Sequence, residues 1–269
     1  MRNKKNGELA VCSLEAVKKI EHVDWKRIRR LYVSREMAPR FGGLCKKLAS
    51  VRGIYNVVND DELMRLSGTR HHQGVVALIY APDIPPLDDE TIASFIKQNE
   101  VVIILDDVSN VHNVGAIVRS AAFFGLRNFI IEEANVNSVI NTSAYRVAKG
   151  AMEAVNFFSV PSIENFLHSV RESFFSVASD LQATKTIFEL NELRKNRALL
   201  LVLGNEENGV RELVKKNCDE RIIIPSVSLS QKDKCENFSA QDIDFQTLTP
   251  QSLNVAQAAT VMFYEITRS

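Results

Sequence analysis

Val101-Val-Ile-Ile-Leu-Asp-Asp-Val-Ser-Asn-Val-His-Asn-Val-Gly-Ala-Ile-Val-Arg119 changes period part-way along its length. Residues 101–105 are an unbroken apolar run, the pattern of a strand buried on both faces. Beyond them Val114, Ile117, Val118 and Ala121 recur at helical spacing and predict a helix over 113–124. The same switch repeats down the chain. Apolar strands are expected at 128–132, 155–160, 174–178, 198–203 and 221–224, and helices at 142–152, 163–171, 209–216 and 252–267. This alternation predicts an α/β domain whose largely parallel sheet is covered on both faces. Ligands of such sheets collect at the carboxyl ends of the strands.

Three clusters of unusual residues lie at those ends. In the first, Gly115 and Arg119 are four apart and share a helix face, so the glycine leaves room for a ligand to approach the guanidinium. Asn113 stands at the mouth of that helix, able to cap it or to bond a ligand. The second, Gly204-Asn-Glu-Glu-Asn-Gly209, sets Glu206 between two glycines at the end of a buried strand. It lacks the spacing of a dinucleotide fingerprint, and no Lys-Ser/Thr follows Gly209 as a phosphate loop requires. The third joins Ile222-Ile-Ile-Pro225 to Ser252-Leu-Asn-Val-Ala-Gln-Ala-Ala259. There Ser252 is a natural N-cap, and a helix N-terminus is a ready anion site. Taken singly, the clusters read equally well as capped helices, a packing glycine, a surface arginine and a strand-to-helix turn.

Upstream, residues 81–89 (APDIPPLDD) hold three of the seven prolines and read as a semi-rigid linker. With a short helix at 91–98 they separate a domain at 1–80 from one at 99–269. The first domain reads as a compact αβα unit. Its helices are expected near 14–22, 41–50 and 60–67, the last opened by an Asp cap, and its strands at 30–33, 53–58 and 74–80. Residues 1–60 carry 14 Lys/Arg against 6 Asp/Glu, while the remainder carry 19 against 27, so a chain of zero net charge has a basic N-terminal part. That asymmetry suggests a polyanionic partner held mainly by the first domain.

No apolar run approaches membrane-spanning length, and the basic start lacks the apolar stretch of a secretory signal. Cys12, Cys45, Cys218 and Cys235 are widely spaced with no CxxC pair, which suits reduced thiols in a cytoplasmic protein. His71 and His72 have no partner at ligand spacing, so no metal is expected.

N-x-G-x-x-x-R, then LVLGNExxG, then IxIP…SLNVAxA resembles, in order, the three motifs of the SpoU/TrmH family of S-adenosylmethionine-dependent RNA methyltransferases. The resemblance covers about 101–269. The first domain, ending Leu66-Ser-Gly-Thr-Arg-His-His-Gln-Gly-Val-Val-Ala77, resembles the L30e-like RNA-binding domain often fused to that family. The resemblance implies a deep trefoil knot in the C-terminal domain and an active site completed across a homodimer. It implies S-adenosylmethionine held around Gly204, Gly209, Ile224 and Leu253, and catalytic positions at Asn113, Arg119, Glu206, Ser252 and Asn254. The implied reaction is methylation of a ribose 2′-OH, in 23S ribosomal RNA or alternatively in transfer RNA. The family assigns activation of that hydroxyl to an arginine at the position of Arg119. A guanidinium normally stays protonated, so Arg119 can instead orient the hydroxyl and clamp a neighbouring phosphate.

One feature departs from the family. Between Pro225 and Ser252 lie 26 residues (226–251) where the family usually has a handful. Growing a loop from about 6 to about 26 residues costs only ~1.3 kcal/mol of closure entropy, so the fold is expected to survive. The insertion suits either a substrate-gripping lid or a decayed cofactor site, which would leave a non-catalytic RNA-binding protein. A third class, an NAD-dependent α/β enzyme, lacks its glycine fingerprint.

Overall fold

A computed structural model describes residues 2–3, 7–226 and 252–268. The expected insertion, apart from Ser226, lies outside the described residues, as does Cys235. By their contacts the residues form two compact units, 1–86 with 109–161, and 87–108 with 162–269. The chain therefore passes between units three times, and the division does not follow the proline-rich segment.

The first unit opens with β1 (Arg2–Asn3), β2 (Glu8–Cys12), α1 (Leu14–Asp24), a 3-10 turn at Trp25–Arg27 and β3 (Ile28–Val33). It continues through α2 (Gly42–Ser50), β4 (Ile54–Val57), α3 (Asp60–Ser67) and β5 (Val75–Tyr80). The strands make a five-stranded sheet in the order β1-β2-β5-β3-β4, antiparallel except for the β3–β4 pair. β2 was not expected from sequence, because its five residues begin with a glutamate and show no alternation. Yet all five are buried, Glu8 included. The cap of α3 is Asn59, whose side chain accepts the Glu62 amide; the expected Asp60 is already helical.

Then follow α4 (Asp89–Lys97), β6 (Val101–Asp106), α5 (Val111–Phe123), β7 (Asn128–Glu132), α6 (Val136–Val139), α7 (Thr142–Ala148) and β8 (Asn156–Val160). The last part comprises α8 (Ile163–Val170), β9 (Phe174–Ser179), β10 (Lys185–Thr186), α9 (Leu190–Arg194), β11 (Ala198–Gly204), α10 (Glu212–Asn217), β12 (Glu220–Ile223) and α11 (Val255–Thr267). Seven strands form one sheet in the order β10-β12-β9-β11-β6-β7-β8, with parallel register wherever pairs are resolved. The expected parallel α/β sheet is present. Every residue of β6 and β11 is buried, which accounts for their unbroken apolar runs.

The helix expected at 142–152 ends earlier, at Ala148. Lys149 and Gly150 both take positive φ and turn the chain into a 3-10 turn at Ala151–Glu153. The proline-rich segment is also tied down. Pro85 O accepts the Ser159 amide at 2.9 Å, and Pro86 bridges β8 at Ser159. Among the described residues no helix is long and apolar enough to cross a membrane.

Candidate active site

α5 carries the first cluster. Its cap is Asn110, whose Oδ1 accepts the His112 amide at 2.9 Å, so Asn113 is not the cap. Asn113 sits inside the first turn and is buried. Gly115 serves packing rather than ligand access. A Cβ there would lie 2.6 Å from Ala144 O and 2.8 Å from Val147 Cβ, so its absence lets α5 and α7 cross closely. One turn on, Arg119 is exposed and makes no ion pair or hydrogen bond among the described residues. One turn further, Phe123 is 83% exposed, so the solvent stripe of α5 runs from a cation to an aromatic ring.

In the second unit, β6 and β11 run side by side with Gly204 opposite Asp106. The loop after β11 folds back on itself. The Asn205 amide donates to Gly209 O at 3.0 Å, the Gly209 amide donates to Asn205 O at 2.9 Å, and the amides of Glu207 and Asn208 both donate to Asn205 Oδ1. Asn205 Nδ2 holds the Asp107 carbonyl, fixing this loop to the end of β6. A Cβ on Gly204 would fall on the Val210 amide nitrogen and the Gly209 carbonyl carbon, so only glycine permits the return. Gly209 itself takes φ +68. Glu206 stands half-buried at the tip.

Asp106 ends β6 fully buried and accepts both the amide and Nε of Arg211, at 2.7 and 2.6 Å. Arg211 reaches on to Glu164 at 3.1 Å. A buried carboxylate of this kind persists only when paired and hydrogen-bonded. Burial works against the Glu164 carboxylate, but the Ser162 hydroxyl, backbone donors and Arg211 prevail and hold its pKa below the usual value. This Asp106–Arg211–Glu164 network escaped the sequence reading. Its one local signal was an aspartate closing an apolar strand. Nearby, burial, then Asp219 and Asp106, push the Cys218 thiol up to about 12.

The third cluster begins at the end of β12, which β9 separates from β11 and the second cluster. Ile224 follows β12 half-buried. Ser252, expected as the cap of the final helix, lies outside it and is exposed. The cap is Asn254, whose Oδ1 accepts the Ala256 amide at 2.9 Å. Leu253 is 49% exposed beside it. Small residues let α11 pack closely, Ala256 and Ala259 being buried. So Asn113 and Arg119 share α5, Gly204, Glu206 and Gly209 share one loop, and Ser252, Leu253 and Asn254 share the entry to α11. Among the described residues no group of three His, Cys, Asp or Glu side chains could hold a metal ion.

Residues 100–231 match the SpoU rRNA Methylase family, and residues 14–85 match the RNA 2′-O ribose methyltransferase substrate binding family. Residues 100–231 belong to the SpoU rRNA Methylase family. The match contains Asn113, Arg119, Gly204, Glu206, Gly209 and Ile224, while Ser252, Leu253 and Asn254 lie beyond it. The chain is 28% identical over 177 residues to an uncharacterized tRNA/rRNA methyltransferase of Haemophilus influenzae, covering 66% of this chain and 49% of that protein. It is 28% identical over 255 residues to the 23S rRNA (guanosine-2′-O-)-methyltransferase RlmB of Bordetella pertussis, covering 94% and 90%. The chain thus spans about half the length of the first relative and nearly all of the second. In fold it is similar to an rRNA methyltransferase from Sinorhizobium meliloti, with TM-score 0.74 and 20% identity over 98% of this chain and 88% of that one. It is also similar to the SpoU methyltransferase AviRb from Streptomyces viridochromogenes in complex with AdoMet, with TM-score 0.69 and 20% identity over 98% and 91%.

Proposed function

We propose that the protein is an S-adenosylmethionine-dependent RNA methyltransferase that methylates a ribose 2′-OH, with 23S ribosomal RNA as its substrate. The observation that carries this reading is Arg119, exposed on α5 and without a partner among the described residues, inside the segment that matches the SpoU rRNA Methylase family. The relative of known substrate that covers most of this chain acts on 23S rRNA, which favours ribosomal over transfer RNA.

The residues present suit the cofactor. Leu253 and Ile224 offer apolar surface at two loop entries, and the Gly204–Gly209 loop offers backbone with little side chain. Those groups would hold S-adenosylmethionine, which supplies a methyl group on a sulfonium centre. The chain's own work is alignment. Arg119 orients the ribose hydroxyl and clamps the adjacent phosphate with its fork of donors. Asn113 and Glu206 steady the nucleotide and the cofactor. Ser252 and Asn254 bind phosphate at the start of α11, where the orphan amides lie.

The proposed layout is an L30e-like RNA-binding domain at 1–80, a linker with a short helix at 81–98, and a methyltransferase domain with a deep trefoil knot at 99–269. A homodimer is favoured by the apolar side chains that α11 leaves exposed, Val261 at 40% and Tyr264 at 56%. The test is transfer of labelled methyl from S-adenosylmethionine to total RNA lacking the modification, followed by nuclease mapping. Label at one 2′-O position of 23S RNA is the expected result. Label on transfer RNA would change the substrate, and no label on any RNA would leave a binding protein.

A further inference from the structure

The helix pair α5–α7, which carries Asn113 and Arg119, and the turn that follows α7 are fastened to residues 1–86 at three points. Arg27 Nη1 meets Glu153 Oε2 at 2.5 Å, and Arg27 Nη2 donates to the Tyr145 hydroxyl at 3.4 Å. Arg146 Nη1 donates to Thr69 Oγ1 at 2.7 Å. Gly150, at φ +88, lies against Lys19, where a Cβ would come within 3.0 Å of the lysine Cβ. Glu153 and Tyr145 are almost fully buried, with side-chain and residue exposures of 4% and 2%. From Tyr145 the path continues one residue back to Ala144, which packs on Gly115, one turn before Arg119.

A buried ion pair is a poor device for stability alone, because desolvation offsets most of its attraction and apolar side chains would serve as well. This one is incomplete even by that standard, since Glu153 Oε1 is buried with no hydrogen-bond partner. What the pair adds is direction, as a guanidinium fork meets a carboxylate and a hydroxyl in one geometry.

We infer that Arg27 and Glu153 are positioning residues that hold residues 1–86 in fixed register with Arg119, so that RNA gripped by the N-terminal segment presents one ribose to the active site. The inference rests on the methyltransferase reading for its catalytic consequence, but its mechanical part stands apart from it. RNA bound by the N-terminal segment is coupled through Arg27, Tyr145 and Glu153 to α7, and through Gly115 to α5.

The test uses the full chain, an unmodified 23S ribosomal RNA transcript, and the double variant Arg27→Met with Glu153→Leu. That variant replaces the pair with apolar side chains of similar reach, so the fold is kept while direction is lost. Two readouts are taken. In the first, amide exchange is followed with and without RNA. The transcript slows exchange in residues 1–86 and also in α5 and α7 of the wild type, but only in residues 1–86 of the double variant. In the second, single-turnover methyl transfer by the variant falls by about tenfold or more at unchanged RNA affinity, because a misplacement of about 1 Å can cost about 100-fold. The label also spreads to neighbouring riboses, and the single variant Arg27→Lys, which keeps the charge but loses the fork, recovers little of the rate. A double variant with wild-type rate, a single modified position and slowed exchange in α5 and α7 would make the pair merely structural. Should the wild type transfer no methyl at all, the methyltransferase reading fails and the exchange experiment still decides the coupling.

Discussion

Arg119 points its charge to solvent, and no described carboxylate neutralises it. A guanidinium does not give up its proton at working pH, so its contribution to a ribose hydroxyl is geometric and electrostatic. Arg119→Ala is therefore expected to lower the single-turnover methylation rate at least tenfold, about 1.4 kcal/mol, while S-adenosylmethionine affinity stays within about twofold. Arg119→Lys should recover little, since an ammonium lacks the bidentate fork. Titration calorimetry with the cofactor and a burst assay with RNA check both halves. An alanine variant above a tenth of the wild-type rate removes Arg119 from the mechanism. Cys218 shows the opposite environment. Burial, then Asp219 and Asp106, lift its thiol to about 12, so almost no thiolate exists near neutrality. Iodoacetamide at pH 8 should leave Cys218 unmodified in the native protein and label it in urea, read by peptide mass mapping. Labelling of the native thiol would mean that the loop around α10 opens readily.

Two glycines on helices separate packing from propensity. Gly115→Ala drives a methyl group into the carbonyl of Ala144 and should destabilise by about 1–3 kcal/mol, as overpacked sites do. Gly43, in α2, has nothing within 4 Å of where a Cβ would stand. There alanine should add about 0.4–1 kcal/mol by restricting the unfolded chain. Urea midpoints of the two variants check the contrast, and equal effects would mean that the α5–α7 crossing relaxes freely. At the start of α8, Glu164 has a depressed pKa, with burial outweighed by Ser162, backbone donors and Arg211. A depressed carboxylate pKa means that the unfolded state binds the proton first. The stabilisation is therefore present above about pH 4.5 and is lost as pH falls through the lower folded value. Glu164→Gln should flatten that acid limb in pH-dependent urea melts.

Strands with unbroken apolar runs, such as β6 and β11, were legible almost to the residue because burial on both faces leaves no polar position. Helix starts were less so. Asn110 and Asn113, or Ser252 and Asn254, offer the same capping chemistry a few residues apart, and only the local backbone path selects between them. The candidate site was legible as a set of strand ends. The purposes of Gly115 and Gly204 were not, because what an absent Cβ gives way to belongs to chain far away in sequence or not yet folded back.

At the scale of the whole molecule, the sequence divides at a proline-rich segment, whereas the contacts do not. Residues 1–86 cluster with 109–161, and Pro85 and Pro86 are bound to β8 rather than left as a free tether. The match to a substrate-binding family ends at residue 85 and the match to the methylase family begins at residue 100, so the sequence modules and the packed units are different partitions of one chain. The difference can be measured. A fragment of residues 99–269 would keep α5 and α7 but lose the cover that Arg27, Thr69 and Lys19 give them, leaving the Tyr145 ring open to water. Re-exposing one such side chain costs roughly 2 kcal/mol, or about 4–8 °C in melting temperature for a chain of this size. Amide exchange should therefore rise in α7 of the fragment and stay at its full-length level in β9 and β12, which lie beyond β11 in the sheet. A fragment whose α7 exchanges as slowly as in the full chain would show that the linker is a true domain boundary. It would also remove the packing on which the coupling of RNA grip to Arg119 depends.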